Sequence, residues 1–501
     1  MSDHSTTTIV APDYSRSFFG HPRGLATLFF TEMWERFTYY GMRALLLLFL
    51  VAAVQEGGFG IDDKTATAIY GLFTAGVYLA ALPGGWIADR LIGAQRAVIW
   101  GGVLLTLGNG LLAVPGSPPL FYFGLLVIVL GVGLLKPNIS TIVGELYPEG
   151  GARRDAGFSI FYMGINVGAL IGPLIAGWLA QQYGWRWGFG AAAVGMALGV
   201  IQFMWTRGYL GSSGVSPHTK DGAAHAASWT PVWIGVAVLT AVVVAMLTGA
   251  LRIDPPTFAK YTTAIIIGMG ALYFVYALFF AGLDAVERKR IWLIIVLFIG
   301  CALFWSGFEQ AGSSLNLFAE RYTDRMIGGW ELPAAWLQSV NSFFIILFAP
   351  AFSWFWVALA KRNLDPSMPG KFAWGLILMA LGFLVMVGAA NVVASGNSPL
   401  PYWLVLTYLL HTFGELALSP VGLSSVTKLA PQRFVGQMMG IWFLAISLGN
   451  LIAGLLAGRF DWENPQLMPS QFMFVFWFGA IAGVVLLLLS PIAKKWAGGV
   501  K

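Results

Sequence analysis

The chain has 501 residues, of which 57% are hydrophobic and only 10% charged. Soluble domains carry about a quarter charged residues, so an ordinary soluble fold is excluded. The net charge of +6 resides largely in short loops, where membrane orientation explains it without nucleic acid.

Cys301 is the only cysteine, which rules out an intramolecular disulfide. His4, His21, His218, His225 and His411 show no metal-ligand spacing, and neither an HExxH pattern nor a Walker-type loop occurs.

Long apolar runs recur along the whole chain and predict an all-α polytopic membrane protein with 14 transmembrane helices. Residues 1–23 are polar, lack the apolar core of a signal peptide, and read as a cytoplasmic segment. The spans are expected at about 24–54, 65–88, 97–114, 120–146, 156–181, 187–206, 231–250, 260–282, 291–318, 334–360, 371–394, 401–427, 435–457 and 471–493. Residues 24–207 and 291–493 thus form two six-helix bundles, and residues 231–290 hold two inserted helices and a charged loop. Residues 208–230 read as a Gly-, Ser- and Ala-rich cytoplasmic linker, and 494–501 as a cytoplasmic tail. With the N-terminus inside, about 19 Lys and Arg fall in inside segments and about 7 outside.

The first span carries Glu32, Glu35, Arg36 and Arg43, with Tyr39 and Tyr40 between them, all on one helical face. An ionised side chain facing lipid costs roughly 2.5–3.5 kcal/mol, so four on one helix demand a polar cavity. The loop after the second span contains Gly85, Asp89, Arg90 and Arg96. It resembles the major facilitator motif, in which acidic and basic residues latch helix ends. Lys136 lies in the fourth span, and Asn166 in the fifth beside the small-residue ladder Gly164, Gly168 and Gly172. The second half supplies Glu309 in the ninth span, Asn341 in the tenth, and Glu415 with Ser419 in the twelfth.

A cavity between the halves would be basic on one wall (Arg36, Arg43, Lys136) and acidic on the other (Glu309, Glu415). Such a field suits a zwitterion with separated ammonium and carboxylate, and a short peptide fits better than a sugar or simple anion. Glu32 and Glu35 flank Arg36, so protonation would compete with ion pairing there and offers a route for proton coupling.

The run Glu32-Met-Trp-Glu35-Arg36-Phe-Thr-Tyr39-Tyr40-Gly41 is similar, almost letter for letter, to the first-helix signature of the proton-dependent oligopeptide transporter family of the major facilitator superfamily. Phe161 to Leu170, Gly131 to Ser140 and Gly414 to Pro420 resemble further blocks of that family, in order. The resemblance implies a major facilitator fold of bacterial type. It implies proton coupling at Glu32, Glu35, Arg36 and Glu309. Arg43 and Lys136 would serve the peptide carboxylate and salt bridges to Glu309. Asn166, Asn341 and Glu415 would hold the peptide N-terminus, and Ser419 and Tyr39 are further substrate-binding candidates. Tyr40, Tyr78, Trp305 and Trp442 would line side-chain pockets. Two departures stand out: Gly71 occupies a position where some members carry a histidine, and Phe308 replaces a second acid before Glu309.

The expected function is import of di- and tripeptides by proton symport and alternating access, at a central bipolar site in the bacterial inner membrane. Transport of another small anion or zwitterion, such as nitrate, an amino acid or a peptidomimetic, is the alternative. Gly168 to Pro173 partly resembles the fifth-helix pattern of facilitator antiporters, but Asn166 and the surrounding block fit the peptide family better than export by antiport, and no nucleophile–base pair points to an enzyme. No cofactor beyond the proton gradient is expected. The expected partners are small peptides, protons and the lipid bilayer, with no nucleic acid, and the chain is expected to act as a monomer.

Overall fold

The computed structural model describes residues 17–215 and 228–497. Parts of the expected N-terminal segment, linker and tail, with His4, His218, His225 and the side chain of Pro420, lie outside the described residues.

The long helices follow one another as α1 (Gly24–Val51), α2 (Asp63–Ile87), α3 (Ala94–Leu112), α4 (Pro118–Glu145), α5 (Gly151–Tyr183), α6 (Trp185–Thr206), α7 (Thr230–Leu247), α8 (Pro255–Phe279) and α9 (Ala285–Phe308). After a short α10 (Ser314–Arg321) come α11 (Ser339–Lys361), α12 (Met368–Ala394), α13 (Tyr402–Leu429), α14 (Val435–Ala457) and α15 (Met468–Trp496). Among the described residues the long helices number fourteen, as the apolar runs predict, with ends shifted by a few residues. Ten helical stretches among the described residues are long and apolar enough to cross a membrane by themselves, and the chain is a multi-pass membrane protein. Local chemistry sets several starts. Asp284 and Glu287 form a capping box on α9, and Asp254 caps α8 ahead of Pro255 and Pro256. Two small hairpins, Ser17–Phe18 with His21–Pro22 and Met326–Ile327 with Trp330–Glu331, lie between helices.

The ninth span is not one continuous α-helix. It ends at Phe308, tightens into a 3-10 turn over Glu309–Gly312, and resumes as α10. Gly312 is required there because a Cβ would overlap the Tyr70 hydroxyl.

The chain divides into two compact units, with boundaries inside α1 and α2. The first holds the chain up to Met42 and Ala80–Arg252. In it α3 packs on α4 and α6, and α5 packs on α6. The Gly164, Gly168 and Gly172 ladder lets α5 lie directly on α1: a Cβ on Gly168 would overlap the Met33 carbonyl and come within 2.9 Å of Arg36 Cβ. The turn between α2 and α3 needs Gly93 at φ +80°, in the left-handed region. Gln95 then donates to the Ser213 carbonyl at 2.7 Å, and Glu145 accepts from the Gly214 amide at 2.7 Å. The segment after α6 is thereby fastened to this turn.

The second unit holds Arg43–Leu79 and Ile253–Lys501. In it α12 packs against α13 and α15, and α9 packs against α14. The early part of α2 meets α14 so closely that a Cβ on Gly71 would lie 3.1 Å from Gly454 Cα. A histidine at this position would not fit without separating the two helices. Asp63 at the start of α2 takes a forked pair from Arg321 at 2.6 and 2.8 Å.

Gly168→Ala should destabilise the protein by about 1–3 kcal/mol, because the added methyl meets backbone that cannot move independently. Gly190→Ala, where a Cβ meets nothing within 4 Å, is the control and should leave stability unchanged or slightly raised. Thermal unfolding in detergent checks both.

Candidate functional site

In the first unit the charged face of α1 forms a compact triad. Arg36 Nε lies 2.7 Å from Glu32 Oε1 and 2.8 Å from Glu35 Oε2, and all three side chains are buried. Glu32 and Arg36 meet because they are one helical turn apart. Two carboxylates around one guanidinium leave one excess negative charge, an expensive surplus in an apolar surrounding. Glu35 also retains an oxygen, Oε1, with no hydrogen-bond partner among the described residues. Lys136 on α4 is half-buried and lies within Coulombic reach of Glu35, so it supplies the balancing positive charge. Tyr39 is buried and stands edge-on to the half-buried Tyr40, 5.4 Å between ring centres. Tyr40 is in turn electrostatically coupled to Arg36. Asn166 on α5 is buried, and its amide donates to the Tyr162 carbonyl one turn earlier at 3.0 Å.

In the second unit Arg43 pairs with Glu309, Nη2 to Oε2 at 2.6 Å, with both side chains buried. Its Nε donates to the Tyr70 hydroxyl at 2.5 Å. Tyr408, fully buried on α13, is electrostatically coupled to both Arg43 and Tyr70. Glu415 lies within Coulombic reach of Glu309 but differs from it in having no ion-pair partner among the described residues. Its Oε2 accepts instead from the Asn341 amide at 3.2 Å, and that amide also donates to Thr412 at 2.9 Å. One turn along α13 from Glu415, the Ser419 hydroxyl has no partner among the described residues. His411 bonds the Met379 carbonyl at 3.1 Å and packs on Phe383, as a core histidine does.

The aromatic candidates of this unit fall on three helices. Trp305 on α9 is half-buried and stands edge-on to Phe308, 5.2 Å away. Phe308, at the position of the missing second acid, therefore packs on an aromatic neighbour. Trp442 on α14 is buried edge-on to Phe372, and Tyr78 on α2 is half-buried.

The loop residues behave differently. Asp89 and Arg90 are exposed in the turn after α2, and Arg96 is exposed on α3. Among the described residues they form no ion pair within 4 Å; Gln95 ties this turn to the segment after α6, which Glu145 also holds.

Three groups escaped the sequence reading. Tyr70 and Tyr408 look like ordinary aromatic residues of an apolar span, and Thr412 like a helix-packing polar residue. The available signal for Tyr70 is its place beside Gly71, where the chain departs from the expected histidine.

A model of the POT family matches residues 95–473. The chain is 45% identical to the peptide transporter YePEPT of Yersinia enterocolitica, over 96% of each chain. It is 36% identical to the di-/tripeptide transporter of Lactococcus lactis subsp. cremoris, covering 97% of this chain and 98% of that one. A crystal structure of a peptide transporter in complex with alafosfalin superposes with a TM-score of 0.88 at 41% identity, covering 96% of this chain and 97% of that one. With residues 95–473 matched and relatives alike over nearly their whole length, this chain belongs to the POT family.

Proposed function

We propose that the protein is a proton-coupled symporter that imports di- and tripeptides by alternating access. The observation that carries this reading is the contrast between the two carboxylates of the second unit. Glu309 is neutralised by Arg43, whereas Glu415 keeps only a neutral amide partner. Glu415 is half-buried; a carboxylate partly withdrawn from water without a counter-charge is costly, and an incoming ammonium relieves that cost. The N-terminus of a peptide supplies such an ammonium, and the relatives named above are peptide transporters.

The opposite end of the peptide would be received by Arg43, whose planar fork matches a carboxylate. The peptide carboxylate then competes with Glu309 for the same guanidinium, and Glu309, once released, can take up a proton. Substrate and proton binding are coupled through that competition, and the coupling is reciprocal. In the first unit, protonation of Glu32 or Glu35 would remove the excess charge around Arg36 and free Lys136 from Glu35. Both exchanges need a driving force: a membrane potential of 100 mV supplies about 2.3 kcal/mol per charge moved inward. The bias of Lys and Arg toward one set of loops supports an orientation with those loops in the cytoplasm, in a bacterial inner membrane. On this reading the chain acts as a monomer and carries no cofactor.

Glu32→Gln and Glu35→Gln should each abolish gradient-driven accumulation of dialanine in proteoliposomes while leaving counterflow exchange measurable. Full accumulation by both variants would sink the proton-coupling role of the triad. Glu415→Ala should weaken binding of a free-amine dipeptide by about 10- to 100-fold, in line with about 1.5–3 kcal/mol for a charge-assisted contact. The N-acetylated dipeptide should bind wild type and variant alike. Equal losses for both ligands in calorimetry would reject the ammonium contact.

A further inference from the structure

The second unit carries a basic cavity at helix ends, apart from the Arg43–Glu309 pair and Glu415. The start of α2, the start of α8 and the end of α14 frame a space of about 510 Å³, lined by Lys64, Pro256, Lys260, Leu455 and Arg459 among others. Three cations converge here from three different helix ends. All three are exposed, and none forms an ion pair within 4.0 Å among the described residues. Of the acids nearby, Asp63 is engaged by Arg321, Asp62 accepts from the Thr65 amide, and the exposed Asp254, within Coulombic reach of Lys64 and Lys260, accepts from the Thr257 amide at 3.1 Å. Among the described residues the cavity lining itself carries three cations and no acid.

Its floor is apolar, with Pro256 buried and Leu455 half-buried. A path leads from it along α8. Lys260, Ala264, Ile267 and Ala271 follow at i, i+4, i+7 and i+11, and all four are exposed. One helix face thus joins a cationic end to an exposed apolar length. The loop-charge count assigns this end of the helices the smaller share of Lys and Arg, yet three of that share meet in one cavity.

We propose that this cavity binds the phosphate of an anionic phospholipid headgroup, with an acyl chain lying along the exposed face of α8. Clustered Lys and Arg between membrane helices recognise anionic headgroups by charge. Lys64 and Lys260 act as mobile point charges, and Arg459 can present two parallel N–H donors to one phosphate. The inserted helix α8 would then be fastened to α14 by lipid as well as by protein contact. A soluble phosphate ester shares the headgroup chemistry but leaves the apolar stripe unused.

Native mass spectrometry of the full chain in detergent tests this, with phosphatidylglycerol, phosphatidylcholine and soluble glycerol phosphate as probes. The variants are the triple Lys64→Gln, Lys260→Gln, Arg459→Gln and a control, Lys494→Gln with Lys495→Gln, in the last turn of α15. Wild type and control should retain phosphatidylglycerol at least tenfold better than phosphatidylcholine, and the triple variant should lose that preference. Glycerol phosphate should not compete at the same concentration. Equal phosphatidylglycerol retention by the triple variant and wild type overturns the site. Binding of glycerol phosphate as tight as phosphatidylglycerol, and lost in the triple variant, overturns the lipid assignment in favour of a soluble ester. If the triple variant is not monodisperse, Lys260→Gln alone should weaken retention about threefold, and no change there counts against the proposal.

Discussion

An ionised group in the apolar interior of a membrane must find a partner, and α1 places four such groups on one face. Arg36 finds two partners on its own helix, Glu32 and Glu35. Arg43 finds its partner in Glu309, far along the chain, and is braced by Tyr70. The first arrangement over-pairs an arginine and leaves surplus negative charge; the second is balanced. Lys136 and Glu415 stand at the edges of these two arrangements and make opposite adjustments. Lys136 lies within reach of the triad, while Glu415 has only the Asn341 amide beside it among the described residues. Charge that is neither absent nor fully neutralised is what the proposed coupling of protons to a zwitterion requires.

Backbone geometry serves those pairings. Helix α5 can lie against α1 beside Arg36 only because Gly168 offers no side chain. The α-helical register of α9 gives way at Glu309, so the carboxylate sits where a helix tightens rather than in the middle of a regular turn. Gly312 ends that turn beneath the Tyr70 hydroxyl, which in turn positions Arg43. A side chain at Gly168 or Gly312 would press on Arg36 or on the Tyr70 hydroxyl that positions Arg43, and a misplaced charge in a low-dielectric interior is far more costly than a misplaced methyl.

The helices were readable in the sequence because a membrane span needs about 20 consecutive apolar residues, a signal that few other structures imitate. The Glu32–Arg36 contact was readable for a similar reason, since helical spacing alone brings the fourth residue round. The Arg43–Glu309 pair was legible only through the family resemblance, because nothing local relates α1 to α9. Hydropathy also could not reveal the break at Glu309, as a 3-10 turn and an α-helix bury apolar residues equally well. Tyr70 was hidden by its chemistry: a tyrosine in an apolar span usually packs, and only the position of Arg43 Nε shows that its hydroxyl is engaged. In the loop after α2 the conspicuous charges, Asp89, Arg90 and Arg96, drew attention, while the less conspicuous Gln95 makes the tertiary contact.

The central claim is that proton movement drives peptide movement. It is tested most directly by uptake of labelled dialanine into proteoliposomes of the wild-type chain, under an inward proton gradient and an inside-negative potential. The account predicts accumulation above the external concentration, abolished by an uncoupler and competed by unlabelled dipeptides. Uptake that only equilibrates, at a rate indifferent to the gradient, would contradict it.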